Sequence, residues 1–173
     1  MNPVLLSQFV QGATGAEVDT MIIELHDTID PTVILFSASG ILYTDGNLSV
    51  QFNNVNPGQS FWIAVKHRNS IQTWSAYPVA FSDTTNYDFT IAGAQAYGSN
   101  MIEVEPGIWA FFNADINQDE FVDSFDFSLL ESDLLNFSSG YFATDINVDG
   151  FVDSFDYSIY EGNLLNFVQS VHP

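Results

Sequence analysis

From Val4 to Phe112 the hydrophobic positions come in short bursts. Runs rich in β-branched and aromatic residues recur at Val4–Val10, Met21–Leu25, Thr32–Ser37, Ile41–Thr44, Leu48–Phe52, Phe61–Lys66, Val79–Phe81, Tyr87–Thr90, Met101–Val104 and Ile108–Phe112, with turn-forming residues between them. Phe61, Ile63 and Val65 alternate with their neighbours, which places them on one face of a central strand. Asp45-Gly46 predicts a tight hairpin with both turn positions at positive φ, and Pro57-Gly58 predicts a second turn. No amphipathic helix of convincing length interrupts these runs. Many short strands without intervening helices predict an Ig-like β-sandwich over residues 1–112.

The pattern changes at Asn113. From there the chain repeats itself with a period of 30 residues: Asp115-Ile-Asn-Gln-Asp-Glu-Phe-Val-Asp-Ser-Phe-Asp126 is echoed by Asp145-Ile-Asn-Val-Asp-Gly-Phe-Val-Asp-Ser-Phe-Asp156. Extended to Phe137 and Phe167, 16 of 23 aligned positions are identical. Each half ends in a helix-like segment, Ser124–Leu135 and Ser154–Leu165. Phe127, Leu130 and Leu134, with their counterparts Tyr157, Tyr160 and Leu164, fall at three- and four-residue spacing and predict one buried stripe per helix. Two such stripes can pack on each other, which sets residues 113–173 apart as a second, small α module. With only Asn113 and Ala114 between the two parts, the sandwich and this module are expected to pack as one unit.

The repeated segment is also where chemistry concentrates. Calcium takes six to eight oxygen ligands, which a 12-residue loop supplies from positions 1, 3, 5, 7, 9 and 12. The first loop offers Asp115, Asn117, Asp119, the main-chain carbonyl of Phe121, Asp123 and Asp126. The second offers Asp145, Asn147, Asp149, the carbonyl of Phe151, Asp153 and Asp156. Two calcium ions are therefore expected. Position 6 calls for glycine; Gly150 fits, whereas Glu120 predicts backbone strain in the first loop. A pair of solvated acidic turns is the competing reading, and the same oxygen pattern occurring twice in register weighs against it.

Charge sharpens this picture. The chain carries 22 acidic residues against one lysine, Lys66, and one arginine, Arg68, for a formal net charge of −20. Such a surface repels nucleic acid and anionic lipid and attracts cations. No stretch reaches the roughly 18 apolar residues of a membrane span. There is no cysteine, so disulfides and thiol chemistry are excluded. Residues Met1 to Gln11 lack the pattern of a signal peptide, and the chain reads as a mature or cloned segment of a secreted protein, where millimolar calcium suits carboxylate-rich sites.

The repeat resembles a type I dockerin, with two calcium loop-helix (F-hand) halves, aspartate at position 12 and no helix entering the first loop. That resemblance implies an extracellular or cell-surface setting and a protein partner of the cohesin type. It also implies that Ser124-Phe125 and Ser154-Phe155 are partner-recognition positions, usable in two orientations. Upstream, Val18-Asp-Thr-Met-Ile-Ile-Glu-Leu25, Asp45-Gly46, Phe61-Trp-Ile-Ala-Val-Lys-His-Arg-Asn69 and Tyr87-Asp-Phe-Thr90 resemble a β-domain of large secreted Bacteroidota proteins. Asp-Thr pairs there resemble short O-glycosylation acceptors, which implies glycans on Thr20, Thr28 and Thr84.

No nucleophile, acid–base pair or cofactor loop stands out, and the three histidines form no triad or metal pattern. The leading expectation is a non-catalytic, calcium-stabilised module that anchors to protein subunits or self-associates, in one form as a filament. The alternative is a carbohydrate-binding module using Trp62, Trp74, Tyr77 and Trp109, although such aromatics are more often core. Arg68 is expected to brace a strand end against a carboxylate or main-chain carbonyls.

Overall fold

The computed structural model describes residues 13–173; the strand expected over Val4–Val10 lies outside the described residues. Strands β1 (Glu17–His26), β2 (Ile34–Tyr43), β3 (Ser60–His67) and β4 (Ser70–Trp74) form an antiparallel sheet in the order β2-β1-β3-β4, and β5 (Val79–Ala80) also pairs with β3. A separate two-stranded ribbon joins β6 (Ile102–Glu105) to β7 (Ile108–Ala110). Helices α1 (Ser124–Leu135) and α2 (Ser154–Leu165) follow. The protein is thus mainly β with two helices near its end.

Alternation along β1 and β3 builds the sheet core. Leu25 stands opposite Phe36 of β2 and Ile63 of β3, and Ile23 stands opposite Val65. Met21, Ile23, Leu25, Phe61, Ile63 and Val65 form one buried face. The layer that covers this face differs from the sandwich reading. Leu48, Val50, Phe52, Tyr87 and Phe89 pack on it, but Leu48–Phe52 contributes only a single bridge, Leu42 to Leu48, and Tyr87–Thr90 forms no strand. Their apolar side chains satisfy the core without strand pairing. Among the described residues the second layer is therefore built from loops rather than from a second full sheet.

Three further expectations change. Thr32–Ser37 and Ile41–Thr44 belong to one strand, β2, whose small residues Ser37–Gly40 masked its continuity. Strand β4 escaped the pattern because Gln72 and Thr73 are buried although polar. At Asp45-Gly46 a turn forms, with the Gly46 N–H donating to Tyr43 O, but only Gly46 has positive φ (83°). This is a three-residue loop with a left-handed glycine, not the two-residue turn expected.

The two helices end where their stripes predict. Leu130 (0% exposed) and Tyr160 (3%) are buried in a second core with Ile116, Val122, Ile146, Val152 and Val168. Phe127, Leu134, Tyr157 and Leu164 pack against it. Ile71 of β4 joins this core as well, so one strand serves both the sheet and the helical repeat.

Polar contacts reinforce the junction. The Ala114 N–H donates to Asn69 O at 2.6 Å, and Ser170 Oγ donates to Gln72 O at 2.5 Å. Both fixed cations are paired, one within the sheet and one across the junction. Lys66 Nζ lies 3.2 Å from Glu24, and Arg68 Nε donates to Asp19 Oδ2 at 2.8 Å. Arg68 also donates to Phe142 O and lies 4.4 Å from the ring centroid of Tyr141, whose hydroxyl donates to Asp19 Oδ1. Burial pushes the Asp19 carboxyl up, but hydrogen bonds from His67, Tyr141 and Arg68 outweigh it and hold the group well below the usual carboxylate range. Arg68 therefore braces a strand end, as its fork of donors suggested, and does so against the segment between the repeats.

Candidate calcium loops

The two loops are folded by the same hydrogen bonds, 30 residues apart. Asp115 accepts from the N–H groups of Asp119 (3.1 Å) and Glu120 (3.1 Å), and Asp145 accepts from those of Asp149 (3.0 Å) and Gly150 (2.9 Å). Asp126 Oδ1 accepts from Ile116 N–H (2.7 Å) and Asn117 N–H (3.0 Å), as Asp156 Oδ1 does from Ile146 (2.7 Å) and Asn147 (3.0 Å). Asn117 and Asn147 accept from the N–H groups of Asp119 and Asp149 in the manner of an Asx turn. Each 12-residue stretch is thereby drawn into a ring around its own carboxylates.

Positions 9 and 12 have a second duty at the helix starts. Asp123 and Asp153 are N-caps, and Asp126 and Asp156 complete capping boxes with them. Each pair satisfies N–H donors that the helix itself cannot pair and places negative charge at the positive end of its dipole. The Asp-x-x-Asp spacing carried that signal. Position 6 is left-handed in both loops, φ 78° at Glu120 and 91° at Gly150, so the expected strain at Glu120 is present.

Burial and charge set the chemistry. Asp115, Asp126, Asp145 and Asp156 are at most 1% exposed. Burial pushes the Asp115 carboxyl up to about 6, with the Asp126 and Asp119 charges adding to it against opposing main-chain hydrogen bonds. Burial raises Asp126 and Asp145 in the same way. Among the described residues, no lysine, arginine or histidine pairs with any of the four. Nor do any three His, Cys, Asp or Glu side chains among them converge on a metal position; these carboxylates engage N–H donors instead. An oxygen-only donor set of buried carboxylates without a basic partner fits a hard divalent cation better than any protein partner present.

The other expected sites lie apart. Ser124, Phe125, Ser154 and Phe155 are all exposed in the first turns of the two helices, Phe125 at 67% and Phe155 at 66%. Phe121 and Phe151 are exposed beside them, and their main chains bridge to Gln169 and Ser139. Thr20, Thr28 and Thr84 are exposed on the sheet half. Of the four aromatics considered for sugar stacking, Trp74 is buried (3%), Trp62 packs edge-on to Tyr97, Trp109 lies against Gly93, and Tyr77 alone is strongly exposed.

No helix among the described residues is long and apolar enough to cross a membrane. No curated protein and no solved structure matches the chain. One family does: residues 113–165, which hold both loops and both helices, match the dockerin type I domain, a calcium-binding module of protein–protein assembly found in extracellular and cell-surface proteins.

Proposed function

We propose that the chain is a non-catalytic extracellular assembly module in which two calcium ions stabilise residues 113–173 and the exposed faces of its helices bind a protein partner. The observation that carries this reading is the coincidence of the dockerin match with two loops of the same geometry, each enclosing buried carboxylates that no basic side chain among the described residues pairs with. The first ion is assigned to Asp115, Asn117, Asp119, Phe121 O, Asp123 and Asp126, the second to Asp145, Asn147, Asp149, Phe151 O, Asp153 and Asp156. Calcium supplies the positive charge that lets these carboxylates remain buried and ionised. The chain's own residues orient the loops and cap the helices.

Ser124-Phe125 and Ser154-Phe155 are the recognition positions of this reading, for a cohesin-like partner or for a second copy. Their duplication offers equivalent contacts in two orientations. In the filament form, the outer edge of β2, where Ile34 and Leu35 are 49% and 43% exposed, receives a strand from a neighbour. Residues 1–112 then form the β-domain of a surface protein, with Thr20, Thr28 and Thr84 as glycan carriers. The carbohydrate-binding alternative is weakened by the burial of Trp74.

Calorimetric titration of chelator-stripped protein with calcium chloride tests the central claim. Two binding events and a higher melting temperature are expected, and absence of heat at millimolar calcium would refute it. Light scattering on the same samples separates partner anchoring, which leaves the particle size unchanged, from self-association, which increases it.

A further inference from the structure

Glu120 occupies the loop position where its counterpart is Gly150, at a φ of 78° that an L side chain rarely adopts. Its side chain is nevertheless tied down. One carboxylate oxygen lies 2.9 Å from His172 Nε2 in the C-terminal tail. The other accepts from the Gln72 amide at 3.0 Å, with that amide oriented so that its oxygen accepts from Trp74 Nε1 at 3.2 Å. The main chain joins in, since Ser170 N–H donates to Glu120 O at 2.7 Å and His172 packs 5.4 Å from Trp74 between ring centroids. Two residues earlier, Gln118 Nε2 donates to both Asp115 O (2.6 Å) and Ser70 O (3.3 Å). Lys66, Gln72, Asp115, Gln118 and Glu120 line one small cavity of about 120 Å³ between sheet and loop.

The second loop meets the sheet differently. Asn69 Nδ2 donates to Asp145 O at 3.2 Å, a contact to main chain that asks nothing of position 6. The counterparts of Gln118 and Glu120 are Val148 and Gly150, whose side chains have no polar group for such a link. A non-glycine residue at a left-handed position, held by partners from both the sheet and the tail, is explained if the anchoring itself has a use.

We infer that Glu120 is a positioning residue that makes the first loop the joint of the molecule: its anchors on Gln72 and His172 hold the left-handed backbone in register for an ion, and occupancy of that loop tightens the sheet, loop and tail against one another. The inference rests on the calcium reading above. It assigns the two loops unequal roles, with the first coupled to β4 and the second largely independent of it.

The test uses the full chain with calcium chloride, each loop being read in a background where the other is silenced by Asp119→Ala or Asp149→Ala. Calorimetry gives the affinities, and hydrogen exchange follows the amides of Gln72–Trp74 and Ser170–His172. With the first loop active, calcium should slow exchange at those amides severalfold. His172→Ala should weaken first-loop affinity about threefold to tenfold, leave the second loop unchanged and abolish that protection. Glu120→Gly should abolish the protection while keeping or raising first-loop affinity, because glycine needs no anchor at this φ. Protection that survives both variants, or equal losses at both loops in His172→Ala, would overturn the inference and leave the calcium reading standing. A chain without heat at either loop overturns both.

Discussion

The two repeats share most of their residues, yet they sit in different surroundings. Their hydrogen-bonded loops, capping boxes and left-handed positions match one for one. The first loop is pressed between β4 and the C-terminal tail, through Gln118, Glu120 and Ser170. The second repeat touches the sheet mainly through the segment that leads into it, where Tyr141 and Phe142 meet Asp19 and Arg68. A duplicated sequence therefore yields duplicated local structure, and the places where the copies diverge mark contacts with the rest of the chain. Position 130 against 160 instead marks a contact between the copies: Leu130 only packs, whereas Tyr160 also donates from its hydroxyl to Asp123 O at 2.9 Å.

The largest loss is expected at Arg68. Arg68→Met leaves Asp19 buried without its permanently charged partner and removes the clasp on the second repeat, so a loss of about 3–5 kcal/mol is expected in urea unfolding. A loss below 1 kcal/mol would mean that the junction is not held there. Next, Leu130→Ala should cost about 3 kcal/mol through its cavity, while Tyr160→Phe, which removes one hydrogen bond, should cost about 1 kcal/mol. Equal effects would contradict the different duties of this matched pair.

Chelation probes the loops themselves. At free calcium 100 times the dissociation constant, each occupied loop contributes about 2.7 kcal/mol by mass action, which differential scanning calorimetry with and without chelator would measure. Acid sharpens the contrast between the junction and the loops. The Asp19 carboxyl is held below its usual range, so its contribution is fully present above the unfolded value near ~3.9 and is lost as pH falls through the lower folded value. Asp19→Asn should therefore flatten the acid limb of a stability–pH profile below about pH 4. The smallest effect concerns Phe137 and Phe167, both left-handed (φ 50° and 52°) and strongly exposed at 87% and 85%. Phe137→Gly and Phe167→Gly should each raise stability by up to about 1 kcal/mol. Unequal gains would show that the two helix ends are not equivalent.

What could be read in advance divides along the same line as the chain. The repeat was legible because its period is visible by direct alignment and its helical stripes are local, and α1 and α2 begin and end where those stripes do. The sheet half was legible only where alternation was strong, at β1 and β3. Runs such as Leu48–Phe52 and Tyr87–Thr90 have strand-like composition but cover the core as loops, since apolar burial does not require strand pairing. Strand β4 was hidden for the opposite reason, because its polar residues are buried by contacts from residues about 50 to 100 positions away.

Local pattern was enough to fix the duplicated segments, the two helices and the β character of the first part, because each follows from spacing within a period of 30 residues. Tertiary structure alone decided that Ile71 belongs to the helical core, that Arg68 and Asp19 clasp the segment between the repeats, and that Glu120 meets Gln72 and His172. Those contacts join residues far apart in the chain. They depend on which surfaces pack together, and local pattern carries no record of that.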